Sequence, residues 1–419
     1  MQSTPTGNRW HIGVYGRRNV GKSSLINQLT NQDLTVVSEV PGTTTDPVYK
    51  RMELIPIGPV VMIDTAGIDD TGDLGQQRVK KTREVIRRTD LALLVVDPEL
   101  GIADFERELL DSFEDRETPV LLVINKIDLV DNSQQAETEV REQLPAGDYR
   151  MISVSASHGQ GLNELRDMIA DMVPEENKET CIIGDLIQPG ETVILVTPID
   201  LAAPKGRLIL PQVQTIRDVL DHKGIAVINK ETELTASLQN LEHPPAMVVT
   251  DSQAFSQVDE LVPNNILLTG FSILFARYKG DLELYMEGTR RLQRLTPDNK
   301  VLIAEACTHR RTADDIGTVK IPNWLKQQVG EGLQFDHVAG REYPENLGEY
   351  DLVLHCGGCM LNRREVLTRL YEAREARVPV INYGMAIAQL HGILDRALQP
   401  FPDIHEIWNQ DQKQVGAGL

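Results

Sequence analysis

Five short stretches have the residue types and spacing to handle a nucleotide. "GRRNVGKS", Gly16 to Ser23, fits G-x-x-x-x-G-K-[ST] and stands between the apolar run "HIGVY" and the segment "SLINQLT". In that strand–loop–helix setting the glycines let backbone N–H groups wrap phosphate oxygens, and the helix N-terminus adds a favourable dipole. Gly16, Asn19, Val20, Gly21, Ser23 and Ser24 line the expected cradle. Lys22 is placed to hold the β and γ phosphates, and the Ser23 hydroxyl to bind Mg2+. "DTAG" follows the run "VVMID" and brings the Asp64 carboxylate near Mg2+ and the Gly67 N–H near the γ phosphate. In "PGTTTD", Thr44 is the candidate switch threonine on Mg2+ and γ phosphate. "NKID", with Asn125, Lys126 and Asp128, follows "VLLVI". The Asp128 carboxylate can accept from both guanine N1–H and the 2-amino group, a pair adenine lacks, so GTP is favoured over ATP. In "SAS", Ser155 to Ser157, the Ala156 N–H could reach guanine O6. Five elements in order, each at a strand end, define a GTPase domain with Lys22, Thr44 and Gly67 as its catalytic candidates.

A second group is built from sulfur and imidazole. The chain has four cysteines. Cys307 closes the run "KVLIAEAC", with His309 two residues on, while His355, Cys356 and Cys359 lie in "LHCGGC" after "YDLVL". Functional groups in open α/β sheets converge beyond the carboxyl ends of the strands, so the two clusters can meet. Gly357 and Gly358 allow a tight turn that aims both thiolates at one ion or cluster. The spacing leaves three readings open. A zinc site would take three cysteines and one histidine tetrahedrally. An iron–sulfur cluster would take three thiolates and leave one iron for histidine, another weak ligand or an exchangeable group. In the third reading Cys307 is a small buried hydrophobe and the Cys-Gly-Gly-Cys pair alone is redox-active. Cys181 stands apart and is expected to be a bystander.

These residues require elements to position them. Residues 1–172 alternate strand-like runs ("HIGVY", "VVMID", "LALLVVD", "VLLVINK", "RMISVSA") with amphipathic segments, which predicts a parallel, doubly wound sheet covered by helices on both faces. The polar stretch "DMVPEENKET" predicts a linker. Residues 173–262 give a small α/β unit with runs "TVILVTPI", "GIAVIN" and "AMVVTD" and no reactive constellation, expected to be a scaffold or dimerisation domain. Residues 263–419 form a further α/β domain holding the cysteines.

A length of 419 residues accommodates two or three domains, and 41% hydrophobic with 25% charged residues is the composition of a soluble globular protein. No apolar run approaches the ~20 residues of a membrane helix, and no secretory pattern is visible, so a cytoplasmic location is expected. With 42 basic and 62 acidic side chains the net charge is −20, which argues against a broad nucleic-acid footprint.

Asn19 in the phosphate loop together with "GTTTD" resembles the branch of GTPases that includes TrmE, Era and Der. That resemblance implies a possible K+ ligand in Asn19, which could equally serve as a polar residue stabilising its loop. Ile68 follows "DTAG" where Ras-like enzymes carry a water-orienting glutamine, so intrinsic hydrolysis is expected to be slow or to use another device. The GTPase head, the small middle domain and the C-terminal "CTH…HCGGC" together resemble the HydF family, GTPase maturation factors of [FeFe]-hydrogenases. The resemblance spans nearly the whole chain. It implies a [4Fe-4S] cluster on Cys307, Cys356 and Cys359, with His309 as first and His355 as second choice for the remaining position. It also implies a homodimer that carries a di-iron subcluster precursor of the H-cluster, built with two radical-SAM maturases, to the apo-[FeFe]-hydrogenase. The competing expectations are a ribosome- or tRNA-associated GTPase and a GTP-regulated zinc-binding protein.

Overall fold

The computed structural model describes residues 4–31, 38–40, 47–55, 57–65, 81–172, 181–199, 208–306, 315–340, 343–344 and 346–417. The chain divides into two compact units, residues 1–179 and 180–419.

The first unit is built on a seven-stranded sheet in the order β2-β3-β4-β1-β5-β6-β7. Its strands are β1 (Trp10–Tyr15), β2 (Ser38–Val40), β3 (Val48–Leu54), β4 (Gly58–Asp64), β5 (Leu91–Val96), β6 (Val120–Ile124) and β7 (Arg150–Ser153). The five expected strands are parallel neighbours: β1 pairs with β4 and β5, and β6 with β5 and β7. The central strand β5 is buried along its whole length, as an uninterrupted apolar run between two helical layers should be. One face is filled by Leu25, Ile26 and Leu29 of the helix Lys22–Asn31 and by Leu162, Leu165 and Ile169 of the helix Leu162–Asp171. The other takes Leu109, Leu110 and Phe113 of the helix Asp104–Glu114 and Val140 of the helix Ser133–Glu142. The sheet also has an antiparallel edge, β2-β3-β4, absent from the all-parallel expectation. The β3 sequence "VYKRMEL" carries three charges and buries only Met52 and Leu54, so it lacks the apolar run of an inner strand.

The second unit holds two four-stranded, all-parallel sheets. The first has the order β11-β10-β8-β9, from β8 (Thr192–Val196), β9 (Ile225–Asn229), β10 (Met247–Thr250) and β11 (Leu267–Gly270). The second has the order β13-β12-β14-β15, from β12 (Lys300–Glu305), β13 (Gln334–Ala339), β14 (Leu352–His355) and β15 (Val380–Asn382). β11 pairs with β10 although it lies beyond residue 262, where the sequence division placed the start of the C-terminal domain. Its four residues run straight into the apolar helix Phe271–Lys279, so no polar break marks the change. Both sheets feed one continuous core that includes Val193, Val248, Leu268, Phe275, Leu302, Val353 and Ile381. No helix among the described residues is long and apolar enough to cross a membrane.

Candidate functional site

The nucleotide residues collect at the carboxyl ends of β1, β4, β6 and β7, on loops the parallel sheet aims to one side. In the phosphate loop, Gly16, Asn19 and Gly21 take positive φ angles of 139°, 64° and 94°. Asparagine is one of the few residues that adopts this region readily, so backbone geometry alone is a sufficient reason for Asn19. Lys22 is buried, and its ammonium donates to the carbonyl oxygens of Gly16 and Arg17 at 2.7 Å each. Arg17 is tied down in turn, with Nε donating to the buried Glu106 carboxylate at 2.8 Å. Ser23 and Ser24 open the helix Lys22–Asn31 and are exposed. The Ser23 hydroxyl donates to Asp64 Oδ2 at 2.6 Å, which brings together two hard oxygen donors of the kind Mg2+ takes.

Asn125 joins three loops. It is 2% exposed, its Nδ2 donates to the Val20 carbonyl at 2.9 Å, and its Oδ1 accepts from the Ala156 N–H at 2.9 Å. A Cβ on Gly21 would lie 2.2 Å from Asn125 Nδ2, so the loop can approach this closely only with glycine there. The Ala156 N–H, expected at guanine O6, is thus engaged inside the protein. Lys126 has φ 65° and donates to Asp97 Oδ2 at 2.7 Å. The Asp128 carboxylate accepts from the hydroxyls of Ser155 and Ser157. The Ser155 hydrogen bond is the main reason its pKa falls below the usual carboxylate range, and burial opposes it. An ionised, acceptor-only group at this position matches the two N–H donors on the edge of guanine. Thr44, Gly67 and Ile68 lie outside the described residues.

In the second unit, β12 and β14 are parallel neighbours, and the Cys356–Cys359 turn follows the carboxyl end of β14. The ladder continues past β14, with the Cys356 N–H donating to the Ala304 carbonyl at 3.0 Å. The Ala306 N–H donates to Cys356 Sγ at 3.0 Å, so the residue just before Cys307 touches the first thiol of the turn. Cys307 and His309 themselves lie outside the described residues. Gly358 turns with φ 60°, the Leu361 N–H returns to its carbonyl at 3.0 Å, and Asn362 caps the helix Arg363–Glu375. Cys356 and Cys359 are both half-buried on this short turn.

His355 is 0% exposed, with Nδ1 2.7 Å from the Cys356 carbonyl and Nε2 without a partner among the described residues. Burial, then the Arg369 charge, pulls its pKa down to about 3, which keeps the ring neutral. Nδ1 therefore carries the proton it donates. Successive residues of an extended strand point to opposite faces, so the ring turns away from the Cys356 side chain. This geometry makes His355 a brace for the Cys356 backbone through Nδ1.

Two side chains that the sequence did not single out also belong here. Ala304 is the register partner of His355, which puts Glu305 level with Cys356 and on the same face. Glu305 is buried, and the Tyr383 hydroxyl donates to its Oε1 at 3.5 Å. The alternation Glu305-x-Cys307 was the available signal. Lys279, last residue of the helix Phe271–Lys279, is 1% exposed and donates to the carbonyls of Gly358, Cys359 and Leu361 at 3.3, 3.1 and 2.7 Å. Burial draws its ammonium down to about 8, an effect that the Cys359 and Cys356 thiols oppose. Burial pushes the Cys359 thiol up, and Lys279 pulls it back. Cys181 lies apart, its thiol donating to Asp185 at 3.0 Å and pushed up to about 11 by burial first, as suits an unreactive bystander.

Soft thiolates on a glycine turn, with a backbone N–H already aimed at one sulfur, fit a thiolate-bound metal or iron–sulfur cluster. No group of three or more metal-binding side chains is assembled among the described residues.

The phosphate loop, the Asp64–Ser23 pair and the Asp128 acceptor, set at the strand ends of a doubly wound sheet, define a P-loop GTPase domain. Residues 11–126 match the family model of a 50S ribosome-binding GTPase. Residues 182–280 match the hydrogen maturase F dimerization domain, and residues 283–400 the hydrogen maturase F tetramerization domain. The chain belongs to the hydrogen maturase F family.

Among curated relatives, the tRNA modification GTPase MnmE of Moorella thermoacetica is 40% identical over 166 residues, 39% of this chain and 34% of that protein. The MnmE of Roseiflexus sp. is 40% identical over 165 residues, 38% of this chain and 35% of that one. This chain thus spans about a third of the length of the curated relatives it matches. Among solved structures, the probable GTP-binding protein engB matches with 23% identity and a TM-score of 0.32, over 39% of this chain and 99% of that one. An Aquifex aeolicus Era variant bound to GDP.AlF4- matches with 19% identity and a TM-score of 0.33, over 52% of this chain and 91% of that one. At these scores neither carries weight beside the sheet order.

Proposed function

We propose that this protein is a GTP-hydrolysing iron–sulfur scaffold that carries a di-iron precursor of the H-cluster to apo-[FeFe]-hydrogenase. The observation that carries the reading is the union, in one chain, of a guanine-reading P-loop unit and hydrogen maturase F domains that contain a Cys-Gly-Gly-Cys turn at a sheet end. Cys356 and Cys359, with Cys307, would hold a [4Fe-4S] cluster. His309 and the buried Glu305 carboxylate are the candidates for its remaining position. When bound, such a cluster offers a labile iron site at which a di-iron cargo can dock.

This chain's own residues have defined tasks. The Ala306 N–H donates to the Cys356 sulfur, and His355 holds the Cys356 carbonyl. In the GTPase unit, Lys22 exchanges its contacts to the Gly16 and Arg17 carbonyls for phosphate oxygens, Ser23 and Asp64 hold Mg2+, and Asp128 selects guanine. Hydrolysis then serves as a timing switch through the segments bearing Thr44 and Gly67. The middle and C-terminal domains mediate self-association as a dimer and a higher assembly, which the names of the matched domains support.

A reconstituted maturation tests the proposal. Protein matured with the two radical-SAM maturases is expected to activate apo-[FeFe]-hydrogenase. Cys356→Ser should abolish activation and iron binding yet keep GTP hydrolysis. Lys22→Ala should lose hydrolysis by about a hundredfold or more, as removal of a transition-state charge partner does, and keep the cluster. Activation by folded Cys356→Ser equal to the original would overturn the scaffold assignment.

A further inference from the structure

The Lys279 ammonium lies under the Cys356–Cys359 turn with all three of its donors committed to that turn. Its partners are the carbonyls of Gly358, Cys359 and Leu361. The Phe275 ring also lies near it, 5.9 Å from Nζ to the centroid. Among the described residues no carboxylate pairs with it. A lysine that is 1% exposed and lacks an anionic partner is costly to bury, since desolvation of a charge is repaid only by good hydrogen bonds and an opposite charge. The three carbonyls supply the hydrogen bonds. No opposite charge is supplied among the described residues, and the acidic groups that act on the ammonium are the thiols of Cys359 and Cys356.

We infer that Lys279 is a positioning residue for the thiolate site: it fixes the turn in its ligating shape and supplies the counter-charge for the anionic group bound there. This rests on the iron–sulfur reading above. On ligation each thiol releases its proton to solvent, so negative charge appears beside an ammonium already in place. A fixed positive charge beside the turn would favour the reduced, more negative state of a bound cluster and raise its potential. The side chain reaches the turn from a helix that precedes β12, so the helix Phe271–Lys279 is coupled to the site through one residue.

Two variants of the full chain separate clamp from charge. Lys279→Gln keeps amide donors toward the carbonyls and removes the charge, while Lys279→Met removes both. Each is reconstituted anaerobically with iron and sulfide beside the original protein. Iron per chain, the rate of iron loss to a ferrous chelator and the midpoint potential followed by EPR are then measured. The original protein is expected to hold about four irons per chain. Lys279→Gln should bind iron with a potential shifted to more negative values. Lys279→Met should lose iron about 10- to 100-fold faster, the usual size of effect when a group supporting metal ligands is removed. A purely structural lysine would alter stability and leave the potential of the retained cluster where it was. Wild-type potential in Lys279→Gln together with wild-type iron loss in Lys279→Met would overturn the inference and leave the iron–sulfur reading intact. If Lys279→Met does not fold, the potential of Lys279→Gln decides alone. An original protein that takes up no iron would overturn the underlying reading and the inference with it.

Discussion

At the scale of single residues, Asn125 and Asp128 divide one motif into a structural and a selective half. Asn125 faces inward and ties Val20 to Ala156, so it holds the phosphate loop and the "SAS" loop at a fixed distance. Asp128 is held by two serine hydroxyls and keeps acceptor capacity for guanine. Asp128→Asn should therefore weaken GTP binding by about ten- to a hundredfold, the loss of one bidentate pair. It should also improve binding of xanthosine triphosphate, whose 2-oxo group accepts from the new amide. Titration with both nucleotides checks this, and unchanged GTP affinity would contradict it. Asp128 was singled out in the sequence because the motif has one chemical purpose. Lys279 was not, since a lysine ending "FSILFARYK" looks like an ordinary helix C-terminus, where cations are favoured and usually exposed. Its burial depends on a turn 79 residues later in the chain.

At the scale of elements, strands built of apolar runs announced themselves and strands without them did not. β5, β6, β8, β12 and β14 are apolar runs buried by helices. β13, "QFDHVA", has no buried residue, and β3 carries three charges, so each shows its strand character only through pairing. β11 was hidden differently, by running directly into a helix of similar apolarity. Helix packing offers a test of the C-terminal sheet. The helix Leu282–Leu292 rests on β15 at Gly288, where a Cβ would lie 2.1 Å from the Val380 carbonyl oxygen. Gly288→Ala must push the helix from the strand and should cost about 1–3 kcal/mol, as overpacking a core does. Urea denaturation of the metal-free protein reads the loss. A stability equal to the original would mean that the helix does not seat on β15 this closely.

At the scale of the whole molecule, a nucleotide site and a thiolate site sit in separate compact units, each at the carboxyl ends of the parallel strands of its own sheet. That arrangement was readable from motif order and strand alternation, whereas the sharing of one core by the middle and C-terminal sheets was not. The helix Phe271–Lys279 contributes Phe271, Ile273, Leu274 and Phe275 to that core, and Thr269 of β11 donates to the Ala397 carbonyl of the helix Leu394–Leu398 at 2.9 Å. The likeness to tRNA modification GTPases covers 39% of the chain, so the remaining domains distinguish this protein from those relatives. The central claim is that these domains hold iron and sulfide. The most direct measurement is anaerobic purification followed by quantification of Fe, S2− and Zn, with EPR of the dithionite-reduced protein. The account predicts about four irons and four sulfides per chain and a reduced-cluster signal that vanishes in Cys356→Ser. One zinc per chain, with no iron taken up even after reconstitution, would contradict it.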